Sequence, residues 1–551
     1  MFFILCNAMK RHKKIGVIVC CVIAALTFLL AVTVLFADMA LTSIIDKQLR
    51  KKASTLQGKS FTYNNLDINL LKGEVSIDSL RISVFRPATE QVSDTIMLDV
   101  AGISLNGLSL FETWRTRRMV LSEVMVESPS LSARVCRNKT VDAPTDSTEH
   151  ADVLEQIMRF MDCIGARKVL VSNGSIKFSR QDDHTAFSAD SIGLTLCDIE
   201  YLFNEKRFTF NDSLYQAGLR NVLLNTADGL FAVEAQSLMT SDAGAIVLKS
   251  LRARHTTSKF GLAELKGKVA STWVDAEIKE LRTSPVNIVS LIMLHSVSID
   301  SVYADGCKID LLRDVRYKPK EPYKMPQEGI QRIPLPLNIS CMVFDKADMK
   351  VEVATADTRC GTIDINRLQL NARNFSNEVG STTRFEVKGR LAEDAKINVG
   401  LNLTNDKACH FTGSILIENA KGQAFNAFID PIAGMTMDIN IGQMECKMTG
   451  DNKTVTGDFC MLYDSLKVHI DKEKMPVAMV AKYSRIIDVF LSMVVPSSNP
   501  RRQGQEPFSC SVSAERDTMH NFPRYFLSPM LDGMNKTILP PNLQKKIKFG
   551  K

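Results

Sequence analysis

From Leu66 to about Cys510 the chain keeps returning to one pattern, short runs in which apolar and polar side chains alternate, bounded by Gly, Pro, Asn, Asp or Ser. A period of two sends successive side chains to opposite faces of a strand, whereas a helix needs 3.6. A chain built this way is mainly β, and each sheet has one apolar and one wet face. Its 551 residues exceed one ordinary domain; at roughly 150 residues per domain they make three or four, or one elongated array. Apolar residues at 45% and charged residues at 23% exclude a disordered or collagen-like chain.

The clearest instance is Val169-Leu170-Val171-Ser172-Asn173-Gly174-Ser175-Ile176-Lys177-Phe178. Asn-Gly favours a two-residue type I′ turn, because both central positions need φ above zero. That register sets Val171 opposite Ile176 and Val169 opposite Phe178 on one face. The other face carries Ser172, Ser175 and Lys177, with Leu170 as the exception. Similar strand–turn–strand units read from Val124-Met125-Val126 to Leu131–Val135 around Ser128-Pro129-Ser130, from Val297 to Leu312 around Asp305-Gly306, and from Ile339 to Val353. Pairing about Asp305-Gly306 sets Asp300 opposite Leu311, which predicts a bulge or longer loop. The copies share a pattern rather than residues, as in a sheet grown by accretion, although any large antiparallel protein shows some of this.

Helical stretches are few: Asp152–Gly165, with Val153, Ile157, Phe160, Met161 and Ile164 on one stripe; Pro285–His295; Gln423–Ile432; and Ser484–Val495. Arg137–Glu149 and the Pro-rich stretch Tyr317–Pro336 read as loops, the second a candidate divider between two β-rich halves.

Ile15–Ala37 is an uncharged apolar run of 23 residues, preceded by Lys10, Arg11, Lys13 and Lys14. About 20 residues cross the hydrocarbon of a bilayer as a helix. The run is longer than the apolar region of a signal peptide, and Phe36-Ala37-Asp38-Met39 is a poor cleavage site. It is therefore expected to be a single uncleaved anchor. Lys47, Arg50, Lys51 and Lys52 balance the basic count on the other side, so orientation rests on the short, purely basic head and on the resemblance below.

Recognisable catalytic motifs are missing from the sequence. Gly58-Lys59-Ser60 ends like a phosphate-binding loop, but Ala53 stands where its first glycine belongs. HExxH, GxSxG and acidic calcium loops do not occur, and eight histidines lie scattered. The 68 basic residues are interspersed with 61 acidic ones, for a net charge of +7, which gives no nucleic-acid footprint. The reading is a non-enzymatic chain with no catalytic, metal or cofactor site. Thirteen cysteines lack CxxC spacing; Cys446 with Cys460, and Cys341 with Cys360, are open between disulfides and free thiols.

Several segments resemble the AsmA-like family of bacterial envelope proteins (AsmA/TamB-type, Bacteroidetes-type), within the bridge-like lipid-transfer superfamily. The first is the exit from the anchor, with Phe61-Thr62-Tyr63-Asn64-Asn65-Leu66, Leu71-Lys72-Gly73-Glu74-Val75-Ser76-Ile77 and Leu80-Arg81-Ile82-Ser83-Val84. The second runs from Phe411-Thr412-Gly413 through Gly422-Gln423-Ala424-Phe425-Asn426, Ile432-Ala433-Gly434-Met435, Gly442-Gln443-Met444 and Gly457-Asp458-Phe459 to Ile470. The third is Ser498-Asn499-Pro500 with Glu515-Arg516-Asp517 and a helical tail. Together they cover about a quarter of the chain, with loose, hydrophobic motifs. The resemblance implies an elongated, curled antiparallel sheet, a β-groove with an apolar concave face. It implies a role in shielding or transferring phospholipid acyl chains between inner and outer membranes, in support of outer-membrane assembly and lipid homeostasis.

The expected organisation is a cytoplasmic head (1–14), an inner-membrane anchor (15–37), a periplasmic groove region (38–315), a Pro-rich loop or linker (316–336), a C-terminal module (337–480) and a helical tail (481–551). Moving an acyl chain through water costs about 0.8 kcal/mol per exposed CH₂, so the candidate lipid-lining residues are the apolar ones, Val169, Val171, Ile176 and Phe178. Expected partners are phospholipid acyl chains, the inner membrane and outer-membrane assembly proteins, with no nucleic acid. The alternative is an anchored scaffold or assembly factor whose apolar faces close on each other.

Overall fold

The computed structural model describes residues 59–135, 161–286, 296–471 and 496–539, apart from 70–71, 90–91, 181–184, 206, 242–243, 356–358 and 393–394, together with 42–43 and 46–47. Among the described residues the chain is mainly β, with 22 strands in mixed sheet and five short helices. No described helix is long and apolar enough to cross a membrane. The expected anchor (15–37), the expected helix 484–495, most of 152–165 and 285–295, and the loop 137–149 lie outside the described residues. Cys163–Gly165, at the end of one expected helix, opens a strand instead, and Pro285 closes another.

Two compact units divide the chain, Met1–Arg220 and Asn221–Lys551. In the first, β1 (Lys59–Thr62) and β2 (Asn65–Asn69) lie along β3 (Glu74–Thr89), which pairs with β4 (Val92–Asn106). After α1 (Leu110–Thr116) come β5 (Arg118–Leu121), β6 (Glu123–Glu127) and β7 (Ser130–Val135). All three run parallel to β8 (Cys163–Arg180) in one register, Arg118 beside Cys163, Val124 beside Val169 and Ser130 beside Ser175. They are one interrupted strand. β9 (Thr185–Leu202) and β10 (Arg207–Asn225) follow, and the division between units falls within β10.

The second unit pairs its strands in chain order: β11 (Phe231–Thr240), β12 (Ala245–His255), then after α2 (Gly261–Leu265) β13 (Ser271–Pro285) and β14 (Val297–Asp314). Past α3 (Pro326–Ile330) come β15 (Leu337–Ala354), β16 (Cys360–Ser376), β17 (Thr382–Leu391), β18 (Ala395–Thr404) and β19 (Phe411–Lys421). α4 (Gln423–Ala433), β20 (Met435–Gly450), β21 (Thr454–Ile470), β22 (Ser509–Glu515) and α5 (Phe522–Ile538) complete it. Among the described residues every pairing of this unit is antiparallel except β14 with β15, which runs parallel from Val297 beside Leu337 to Asp314 beside Ala354.

The sheet is thus mixed rather than antiparallel throughout. Parallel neighbours need a crossover of a dozen or more residues. Residues 315–336 supply the crossover between β14 and β15, and they contain the Pro-rich stretch that composition marks as a loop. Tyr317–Pro336 lies inside the second unit. Its Met325 is 1% exposed in the core, and Gln327 donates to the carbonyls of Cys409 and His410 at 3.1 and 3.2 Å.

None of the four expected hairpins forms. Val169–Phe178 lies within β8, Val297–Leu312 within β14 and Ile339–Val353 within β15, while β6 and β7 follow one another along β8. A type I′ turn needs two consecutive residues with φ above zero, and only Asn173 (φ 53) qualifies, not Gly174. Ser128 (φ 45), Gly306 (φ 66) and Lys346 (φ 52) are likewise single left-handed residues. One such residue bends a strand without reversing it. The bends also align across the parallel pairs, Ser128 beside Asn173 and Gly306 beside Lys346. Asn173 Nδ2 donates to Ser128 Oγ at 3.3 Å, and the Ser128 N–H donates to the Ser172 carbonyl at 2.8 Å.

The bends re-phase the alternation. From Val171 to Gly174 β8 advances three positions while β9 advances two, Leu194 to Ile192. Ser191 (φ 49) restores the count before Ala189. Val169, Val171, Ile176 and Phe178 therefore share one face, as expected, but within a single bent strand. In the second unit the same device puts Ala304 and Cys307, an odd spacing apart, into one buried cluster.

The largest core belongs to the second unit, where apolar residues of β17–β22 form one cluster and α4 and α5 pack on β16 and β19–β22. α4 forms where the sequence predicts it and stops at Gly434 (φ 62), a position that suits a residue without Cβ. α5 begins at Asn521, whose side chain accepts from the Arg524 N–H. Phe411, 2% exposed, meets Tyr525 and Phe526 at ring-centroid distances of 5.9 and 6.3 Å. Each such aromatic contributes roughly 1.5–3 kcal/mol by burial.

The nine described cysteines are free thiols. Cys446 stands opposite Phe459 and Cys460 opposite Glu445, so these two thiols point to opposite faces. Cys341 and Cys360 pair with Arg373 and Ala354, far apart along the sheet.

Candidate functional site

In the first unit the apolar face runs through register partners on four strands. Ile103 of β4, Val126 of β6, Val171 of β8 and Leu194 of β9 form one row. Beyond the bends Leu98, Leu131, Ile176 and Ala189 form another. The four candidate residues sit in the middle of this face. Val169, Val171 and Ile176 are half-buried, and Phe178 is 37% exposed with its ring 6.2 Å from that of Phe187. Among the described residues, α1 packs on β5. Leaving such side chains half in water forgoes on the order of 1 kcal/mol each.

The second unit continues the theme on β13–β16. Ile278, Phe344, Met349 and Leu370 are half-buried around Ala304, Cys307, Ala347 and Leu368, a cluster made of strand residues alone. The described helices on this sheet pack on β13 (α2), on β16, β19 and β20 (α4) and on β20–β22 (α5). Sequence reasoning missed these β13–β16 residues. Their signal was present as alternation on either side of Asp305-Gly306, but a hairpin reading assigned it to two strands instead of one.

The opposite face is polar. Arg384, Asn402, Thr412 and Thr449 follow each other across β17–β20 and line a shallow cavity of about 340 Å³ with Thr382, Thr404 and His410. A second cavity of about 340 Å³, against Asn338, Asn374, Ser376, Glu378 and Ser381, shares Thr382 and Arg384 with it. Hydroxyls, amides and charges supply the polar atoms of both concavities, and Phe411 adds apolar surface to the first.

Titratable groups serve mainly to tie strands together. Burial opposes ionisation of Glu352, but hydrogen bonds from Lys259 and Lys350 hold its carboxyl below the usual range. Arg316 forks onto buried Asp314 at 2.7 Å, which raises the guanidinium pKa. Burial pushes the Cys446 thiol up to about 12, with the Cys510 thiol and Asp458 adding to it. Three His–Asp pairs, His410–Asp406, His469–Asp438 and His520–Asp517, sit on exposed surface. None of those imidazoles bonds a hydroxyl or thiol among the described residues. No group of three metal-ligating side chains occurs among the described residues.

No protein-family model matches the chain, and no curated protein matches it in sequence.

Proposed function

We propose that this chain is an inner-membrane-anchored, periplasmic AsmA-like protein whose apolar sheet face shields or transfers phospholipid acyl chains, supporting outer-membrane assembly. What supports the reading is the contrast along the sheet. Over β19–β22 the apolar face is filled by α4 and α5, with α4 reaching β16 as well, whereas Val169, Val171 and Ile176 of the first unit and Ile278, Phe344 and Met349 of β13–β15 are apolar yet only half-buried. Soluble monomers rarely expose contiguous apolar patches beyond a few hundred Å². Alternation lets one wall serve both sides, hydrocarbon on one face and water on the other.

The scaffold reading draws on the packed core beneath α4 and α5, which is ordinary sheet–helix packing. The two separate by lipid retention. The full chain, purified in mild detergent, is expected to carry phospholipid by mass spectrometry. Val171→Asp should lose most of it while keeping its thermal transition, and Ser172→Asp, on the wet face, should retain it. Equal retention in all three would favour the scaffold.

A further inference from the structure

We infer that the apolar trough of the second unit is blind at its C-terminal end, so that acyl chains are held there rather than passed along the whole sheet. This rests on the lipid reading above. It makes the second unit a holding site for lipid tails instead of a through-conduit.

Closure starts where β16 meets α4. A Cβ on Gly361 would come 2.5 Å from the Phe428 carbonyl oxygen and 2.6 Å from Ile432 Cδ1, both on α4. Farther on, α5 seats against the same apolar face. A Cβ on Gly413 of β19 would lie 2.4 Å from Phe526 Cε2, and one on Gly533 of α5 would lie 2.2 Å from Phe459 Cγ on β21. Contacts this close, on strand and helix alike, leave no room for even one added methyl group. Beneath them Met461 and Cys446 are 0% exposed, and Met444, Phe459 and Val455 are 1% exposed. The Pro-rich crossover adds Met325 to the same core.

A packed interior resists even one extra methylene by roughly 1–3 kcal/mol, so a tail of many methylenes is excluded from β19–β22. The remaining face suffices for a tail. From β11 to β15 the strands span about 19 Å at roughly 4.8 Å each, while one leaflet of hydrocarbon is about 15 Å deep. A tail lying across the strands thus fits before the stop at α4.

The test uses the unaltered full chain with a phospholipid bearing a photoactivatable diazirine on its acyl tail, followed by peptide mapping of the inserted label. Label is expected in the β13–β16 peptides, with loss of labelling across β19–β22. Comparable insertion in β19–β22 would overturn the blind end and leave the lipid reading standing. Absence of label from both stretches, and from β4–β9, would sink the lipid reading and this inference with it.

Discussion

Arg516, one residue past β22, donates its Nη2 hydrogen to the backbone carbonyl of Tyr323 at 2.5 Å, across 193 residues of sequence. Tyr323 in turn is held to β14, where Arg313 stacks on its ring and hydrogen-bonds its hydroxyl. Laid flat, β14 and β22 would stand about 38 Å apart, eight spacings of roughly 4.8 Å. Their joint hold on one tyrosine means that the sheet of the second unit curls. The Tyr323 N–H donates to the Thr518 carbonyl at 2.7 Å, which closes the same latch from the other side.

Removing the latch should loosen the curl without touching the strands. Arg516→Ala deletes a charge-assisted bond and leaves a carbonyl short of a partner, an expected loss of about 1–3 kcal/mol. Urea unfolding of the variant checks this, with faster hydrogen exchange expected at Tyr323.

The seat of α5 gives a sharper contrast between two glycines. Gly533→Ala places a methyl against Phe459 and should cost about 1–3 kcal/mol. Gly329→Ala, in α3, meets nothing within 4 Å. It should stabilise by up to about 1 kcal/mol through helix propensity. Thermal melts of the two variants should therefore move in opposite directions.

What the sequence made legible was the face, and what it hid was the path. A hairpin register put Val169, Val171, Ile176 and Phe178 on one side, and the structure brings them to one side by another route, the bends at Asn173 and Ser191. Asn173-Gly174, however, has the composition of a reversal, and only its neighbours decide otherwise: β9 on one edge and the β6–β7 strand on the other pair with both halves of β8. Those partners lie tens of residues away, beyond any local signal. One clue was available, since Val124-Met125-Val126 to Leu131 repeats the spacing of Val169-Leu170-Val171 to Ile176, as two parallel strands bent in register would. The helical character of Phe522–Ile538 was also readable, but not which strands it would cover, because any apolar face would accept Tyr525 and Phe526.

Cys446 gives a pH dependence with a definite sign. Its folded pKa, about 12, lies above the ordinary thiol value. Its stabilising contribution is therefore complete below about pH 9 and fades as pH rises toward 12, by at most about 1.4 kcal/mol per pH unit. Cys446→Ala should cost about 1–2 kcal/mol at pH 7 through a small cavity. Between pH 9 and 11 its urea midpoint should then fall less steeply than that of the native chain, and parallel slopes would refute the assignment.

The bend at Asn173 can be tested by backbone chemistry alone. Its φ of 53 suits Asn or Gly, whereas a β-branched side chain clashes with its own carbonyl there. Asn173→Gly keeps the conformation open and gives up the bond to Ser128 Oγ, so it should change stability by less than about 1 kcal/mol. Asn173→Val loses the same bond and adds strain of about 1–2 kcal/mol. If the strand relieved that strain by straightening, Ile176 and Phe178 would rotate to the wet face and the apolar row would break at its centre. The Val variant should then bind more of a dye that reports exposed apolar surface, while the Gly variant binds as the native chain does. Equal stability and equal dye binding in both would mean that the bend is set elsewhere, by the strands on either side.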